Sequence, residues 1–303
     1  METNILLESG TNELEILEFE IGTNHYGINV AKIKEILPYK SPTPIPNAHP
    51  CIEGIYMPRD TIITIVDLAK ALNIPPRQNT NYDMYIVTNF NMLNVAFHVH
   101  NVLGINRVSW SDISKPEESI SNGGNGVATG IIKMNDRLIV ILDFEKIVSD
   151  ISPETGLKVS DIDQLGERER NSSPILIAED SPLLSKLIFD SLHKAGYINI
   201  IVTNNGEEAY DKLCEIKEEG GIGKKVCCVI TDIEMPKMDG HHLTKLIKED
   251  NELKKLPVVI FSSLVNEEMR RKGESLGADA QLSKPEIGSL VLEIDKLLVN
   301  RKF

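Results

Sequence analysis

A chain of 303 residues, 41% of them hydrophobic, is long enough for about two globular domains, and its net charge of −13 disfavours binding to nucleic-acid phosphates. No apolar run approaches the length of a membrane span, and the N-terminus METNILLESG carries acids where a secretory signal has basic residues, so the expected address is the cytoplasm. The four cysteines, Cys51, Cys214, Cys227 and Cys228, form no C-x-x-C pair and no metal-ligand spacing, and read as small core residues in a reducing compartment.

Residues 14–150 alternate short apolar segments with turn residues. LEILEFEI, HYGINV, TIITIVDL, DMYIVT, NVAFHVH, VLGINRV, GVATGIIKM and RLIVILD are rich in Ile and Val and predict strands. SPTPIPNAHP, NIPPRQNTN and SNGGNG separate them with Pro, Gly and Asn that break any helix. Many short strands without helical periods predict an all-β domain of barrel or sandwich type over residues 1–150. Residues 151–173 are charged and polar with little periodicity, and read as a linker.

Residues 174–303 follow another pattern. The strand ILIA precedes a helix that Ser181 caps, Pro182 opens and Gly196 ends. Four more strand–helix units follow: INIIV with GEEAYDKLCEIKEE, VCCVI with GHHLTKLIKED, PVVIF with NEEMRRKGESLG, and ADAQLS with EIGSLVLEIDKLLV. Five such units predict a doubly wound parallel α/β sheet, whose ligands sit beyond the carboxyl ends of the strands. Glu179 and Asp180 follow the first strand, Asp232 the third, Ser262 the fourth, and Lys284 and Pro285 the fifth. Three carboxylates so close repel one another unless a cation intervenes. Hard oxygen ligands suit Mg²⁺, and a carboxylate at Asp232 suits attack on a phosphoryl donor, with Lys284 neutralising charge on the transferring group.

These residues carry a family resemblance. The acid pair Glu179–Asp180, DIEMPKMDG, FSS and SKP resemble, in order and spacing, the motifs of a response-regulator receiver domain, a flavodoxin-like (βα)5 fold. The resemblance implies that Asp232 is the phospho-acceptor, Asp180 a direct metal ligand and Glu179 a ligand acting largely through water. It implies that Glu234 lends its backbone carbonyl to Mg²⁺, that Ser262 hydrogen-bonds the phosphoryl group, that Lys284 pairs with it, and that a cis peptide precedes Pro285. ELEILEFEIGTNHYGINVAKIKEIL and GIIKMNDRLIVILDFEKIV resemble the CheW-type coupling domain, two small intertwined β-barrels, and YMPRDTIITIVDL its Arg-containing central segment. Arg59 is then the receptor-interface residue, although Pro58, Asp60 and Thr64 stand where the family has Leu, Gly and Pro. A coupling domain followed by a receiver is the arrangement of the CheV family, to which SGTNELEI, INRVSW and DIEMPKMDGHHLTKLIKE are also similar.

The resemblance implies a cytoplasmic chemotaxis adaptor at chemoreceptor arrays. It would bridge chemoreceptors and the histidine kinase CheA, be modulated by phosphorylation, and carry no enzyme activity of its own. A receiver-regulated enzyme needs a nucleophile–base set or a nucleotide loop in the first half, and a transcription regulator needs a helix-turn-helix; neither pattern is read there. GESLG at 273–277 matches a serine-hydrolase elbow in letters, but Ser275 follows a helical run and precedes a strand. His98 and His100 lack a third metal ligand and read as part of a strand face. His241 and His242 read as a solvated helix start. GGIGKK lacks phosphate-loop spacing. Gln281 occupies the place, three before Lys284, where receivers carry an aromatic switch residue.

Overall fold

Period-two alternation places one side chain in two inside, and strands with that pattern have to pair. In the computed structural model, which describes residues 13–76, 82–90, 93–114, 126–134, 137–152, 159–264 and 267–299, the chain forms two compact units, residues 14–152 and 159–299 of the described residues.

In the first unit, β1 (Glu13–Ile21) and β2 (Asn24–Asn29) form an antiparallel hairpin that turns at Gly22, φ 65°. The next five strands are β3 (Ile33–Pro38), β4 (Ile52–Tyr56), β5 (Ile63–Asp67), β6 (Met84–Phe90) and β7 (Leu93–Val99). They build a sheet in the order β3-β6-β7-β5-β4. The chain then returns through β8 (Asn101–Ser109), β9 (Ile113–Ser114), β10 (Ala128–Met134) and β11 (Arg137–Leu142). These join the opening hairpin in the order β8-β1-β2-β11-β10-β9. One sheet is thus made by both ends of the unit, with the other inserted between them. Leu17, Phe19, Ile86, Phe97 and Phe144 belong to one buried core, in which the rings of Phe97 and Phe144 lie edge to face at 4.6 Å.

Two short helices interrupt the expected all-strand pattern. α1 (Leu68–Ala71) and α2 (Phe144–Ile151) are each capped by an aspartate, Asp67 and Asp143, whose carboxylate accepts from the third backbone N–H beyond it. α2 forms because Phe144, Ile147 and Val148 recur at helical spacing and seal that core. One buried charge joins four strands of the larger sheet. The Glu18 carboxylate on β1 contacts His25 of β2 at 2.8 Å, and it accepts from Asn106 of β8 and Arg137 of β11, both at 2.8 Å. Burial raises its pKa, but the hydrogen bonds from Arg137 and Asn106 outweigh burial and hold it below the usual carboxylate range.

The second unit alternates strand and helix throughout: β12 (Ile175–Ala178), α3 (Pro182–Lys194), β13 (Ile200–Thr203), α4 (Gly206–Glu218), β14 (Cys228–Thr231), α5 (Gly240–Glu249), β15 (Val258–Ser262), α6 (Glu267–Ser275), β16 (Ala280–Ser283) and α7 (Ile287–Val299). The sheet is parallel, in the order β13-β12-β14-β15-β16. Side chains on its two faces enter separate cores. Cys228 and Ile230 pack with residues of α3 and α7, and Val229 with residues of α4 and α5. All four cysteines are free.

The linker expected over 151–173 is narrower in the structure. Ile151 closes α2, and residues 153–158 lie outside the described residues. Val159–Leu165 forms a 3-10 helix that packs on α3 and α7, with Ile162 sealed and Leu165 half-buried. The Arg168 Nη2 donates to both Asp295 carboxylate oxygens at 2.7 Å, and its Nε donates to the Ala195 carbonyl. The hydroxyl of buried Tyr197 donates to Asp295 at 2.6 Å. Gly196 (φ 102°) lets the Glu169 carbonyl approach where any Cβ would collide. Charge and brevity hid this strap, because its apolar anchors are only two. A fragment of the second unit beginning at Val159 should be about 3 kcal/mol more stable than one beginning at Ser172, which lacks one buried isoleucine and a charged hydrogen-bond pair. Urea unfolding of the two fragments checks this; equal midpoints would mean that the strap contributes nothing.

Candidate functional site

Parallel neighbours end at the same level, so residues just past their carboxyl ends are brought together. Ala178 lies opposite Thr231 in the β12–β14 ladder, and the Asp232 N–H donates to the Ala178 carbonyl at 3.0 Å. Glu179, Asp180 and Asp232 therefore converge, each offering a carboxylate oxygen within 4.8 Å of the others. Lys284 arrives from the other side. Ser262 pairs with Ser283 across β15–β16, and the Lys284 N–H donates to the Ser262 carbonyl at 3.1 Å. The Lys284 ammonium, 3% exposed, donates to Glu179 Oε2 at 2.8 Å and to Asp232 Oδ2 at 2.9 Å.

The electrostatics follow from burial. Burial pushes the Glu179 carboxyl up to about 8, against the pull of Lys284 and with the push of the Asp232 and Asp180 charges. The other Glu179 oxygen accepts from the Ser181 N–H, and Asp232 Oδ1 accepts from the Ile233 N–H at 2.6 Å. This all-oxygen donor set, crowded and partly neutralised by one amine, fits a hard divalent cation. The geometry depends on Gly240, where a Cβ would strike the Asp232 carbonyl. Asp239 caps α5 by accepting from the His242 N–H, so the helix starts hard against the acid.

Of the residues anticipated from sequence, Glu179, Asp180, Asp232 and Lys284 meet in one cluster. Ser262 is fully buried at the end of β15, where its hydroxyl oxygen accepts from the Leu264 N–H at 3.2 Å. Glu234 sits two residues past Asp232 in the loop between β14 and α5. The peptide before Pro285 is cis, as expected. Arg59 belongs to the first unit, in the loop between β4 and β5. Its side chain is 80% exposed and lies 3.6 Å from Glu35 of β3, between exposed Met57 and Ile62.

One expectation is corrected by packing around α6. His241 is buried, not solvated, and burial pushes its pKa down to about 3, so the ring is neutral. Gly240 is responsible, since it lets the first turn of α5 sink into the fold. Gln281, at the position three before Lys284, is half-buried against α6. Its Nε2 donates to the Arg270 carbonyl of α6 at 2.6 Å, and its side chain fills the space left by Gly273. Ser275 ends α6 with its hydroxyl donating to the Lys272 carbonyl. His98 and His100 do not act together: the backbone N–H of Gly22 donates to His100 Nδ1, while His98 lies between two acids of its own sheet.

Residues 15–152 match the CheW-like domain family and residues 175–295 the response regulator receiver domain family. The chain is 32% identical over 300 residues to the chemotaxis protein CheV3 of Helicobacter pylori, covering 95% of each. It is 30% identical over 151 residues to the chemotaxis protein CheW of Thermotoga maritima, covering 50% of this chain and 98% of that protein. Among solved structures, the scaffolding protein TtCheW of Thermoanaerobacter tengcongensis aligns with a TM-score of 0.40 at 24% identity, over 43% of this chain and 84% of that one. With both domain families matched in order and a two-domain relative aligned almost end to end, the chain belongs to the CheV family of chemotaxis proteins, a CheW-like coupling domain followed by a receiver domain.

Proposed function

We propose that this chemotaxis adaptor bridges chemoreceptors and the histidine kinase CheA through residues 1–150, and that phosphorylation of Asp232 changes the coupling. The observation that carries the reading is the cluster of three carboxylates within 4.8 Å, two of them held by the buried Lys284 ammonium. In the transfer step an Asp232 oxygen bonds to phosphorus as the phosphorus–nitrogen bond of the CheA phosphohistidine breaks, its electron pair leaving on the imidazole. Mg²⁺, held by Glu179, Asp180, Asp232 and the Glu234 carbonyl, would supply positive charge against the incoming phosphate oxygens. Lys284 exchanges its carboxylate partners for the phosphoryl group, and the Ser262 hydroxyl donates its proton toward the same group. The Ser262 oxygen already accepts a backbone bond, so the hydroxyl direction is partly set.

Arg59 is the receptor-contact residue in this reading, because it is exposed on a loop with an apolar rim of Met57 and Ile62. The ion pair with Glu35 orients its guanidinium, and the reading assigns no chemistry to the first unit. Among the described residues no helix is long and apolar enough to cross a membrane. On this reading the adaptor works in the cytoplasm at receptor arrays.

Asp232→Asn should reduce acyl-phosphate or CheA-dependent labelling of the full chain to background, as should removal of Mg²⁺ by a chelator. Undiminished aspartyl phosphate in the variant would exclude Asp232. Lys284→Ala leaves two buried carboxylates without their cation, so the metal-free protein should lose about 3 kcal/mol of stability. Mg²⁺ should restore more stability to this variant than to the wild type, as read from urea midpoints with and without the ion. Arg59→Glu should weaken capture by receptor fragments roughly tenfold, about 1.4 kcal/mol, without changing Asp232 labelling. Unchanged capture would move the receptor face elsewhere.

A further inference from the structure

The smaller sheet of the first unit holds a charge cluster that phosphorylation does not use. The His98 side chain on β7 is 11% exposed; its Nδ1 lies 3.0 Å from Glu53 Oε1 on β4, and its Nε2 lies 3.0 Å from Asp83 Oδ2, one residue before β6. A neutral imidazole carries one N–H and can donate to only one of these acids, leaving the other carboxylate against a bare lone pair. Both contacts are favourable together only when the ring is an imidazolium. Tyr39 stacks on it with centroids 4.6 Å apart, and Tyr85 meets it edge-on at 5.8 Å. A cation over a phenol face is stabilised further.

The remaining titratable neighbours do not displace this assignment. His100 lies 6.4 Å away, one residue past β7, and accepts from the Gly22 N–H, Tyr56 faces Tyr85, and Asp67 is engaged by Lys70 at 3.1 Å. Tyr39 and Tyr85 are pushed above the usual tyrosine range, first by burial and then by the Glu53 charge, so both stay neutral phenols. Burial works against a charged His98, but the hydrogen bond and charge of Glu53, then those of Asp83, outweigh it and hold its pKa above the ordinary histidine value.

We infer that His98 is a proton-operated latch, whose imidazolium pins β4 to the entrance of β6 and whose deprotonation releases β4. Asp83 is the deeper acid, with its side chain 3% exposed against 16% for Glu53, so the single N–H of the neutral ring stays with Asp83. Glu53 is the more exposed acid, and its second oxygen, buried without a hydrogen-bond partner, gives it no other hold. Strand β4 runs directly into the loop that carries Arg59, so the latch sets how firmly that loop is held. Its effect on receptor binding rests on the reading of Arg59 given above; the latch itself does not. A group whose pKa is raised by folding contributes stability that is complete below about pH 6.5 and is lost as pH rises through the raised value.

The test is histidine ring NMR on the full chain from pH 5.5 to 9, with amide exchange at residues 53–56 corrected for intrinsic rate. His98 should be doubly protonated at pH 7 and keep its Nε2–H at higher pH. The opening of residues 53–56 should increase through the same midpoint, tenfold for each pH unit by which folding raises the pKa. Glu53→Gln should lower that midpoint and flatten the exchange profile. A neutral His98 at pH 7, or corrected exchange that is flat from pH 6 to 9, overturns the latch; if the variant does not fold, the wild-type titration decides alone. Receptor capture by Arg59→Glu is measured separately, so failure of the interface reading is distinguishable from failure of the latch.

Discussion

A lysine ammonium sealed between two carboxylates is the constraint around which the receiver is arranged. Removing Lys284, Glu179 or Asp232 from water is costly for each charge alone, and tolerable only because each finds its partner within hydrogen-bond reach. That requirement fixes where β12, β14 and β16 end relative to one another. It also explains Gly240, since α5 has to begin against the backbone of Asp232. Three acids facing one amine carry a formal charge of −2 when all are ionised, so the cluster holds its shape without being neutral. An excess of this kind attracts a divalent cation and gives Lys284 an alternative partner once a phosphate arrives.

Polar side chains help to hold the elements nearest the proposed functional surfaces. In α6 only Met269 and Gly273 are buried. An amide hydrogen bond from Gln281 contributes to its attachment to β16. In the first unit Glu18 joins β1, β2, β8 and β11, and His98 links β4 and β7 with the entrance to β6. Such contacts are directional and sensitive to charge, where an apolar contact is neither. Surfaces held in this way can respond to a proton or a phosphate without repacking the cores beneath them.

The receiver was legible nearly element by element. Its three central strands are buried on both faces and read as continuous apolar runs, its helices carry caps and terminal glycines, and acids at strand ends mark the site. The first unit was legible as β-rich, yet α2 passed unnoticed because Phe144, Ile147 and Val148 follow a strand of the same apolar character. His241 was misread because adjacent histidines at a helix start look solvated, and only Gly240 hints that the first turn is buried. The His98 cluster could not be read at all. Its acids lie 45 and 15 residues away in sequence, and only strand pairing brings them to the same ring. Gln281 was visible as a departure from the family, but its partner is a backbone carbonyl that no side-chain pattern encodes.

The interleaving of the first unit has a consequence for the order in which the chain acquires structure. Parallel β2 and β11 match His25 with Ile139, a separation of 114 residues, whereas the receiver links each strand to the next through one helix. Closing so long a loop before any reward arrives slows folding. During synthesis the opening hairpin emerges first with both outer edges unpaired, and its partners β8 and β11 follow only after the whole inserted sheet. Until then Glu18 lacks Asn106 and Arg137, and its charge disfavours premature burial of the hairpin. A carboxylate that becomes comfortable only when the last strands arrive keeps a nascent edge wet, and so guards it against pairing with a neighbouring chain on the same polysome.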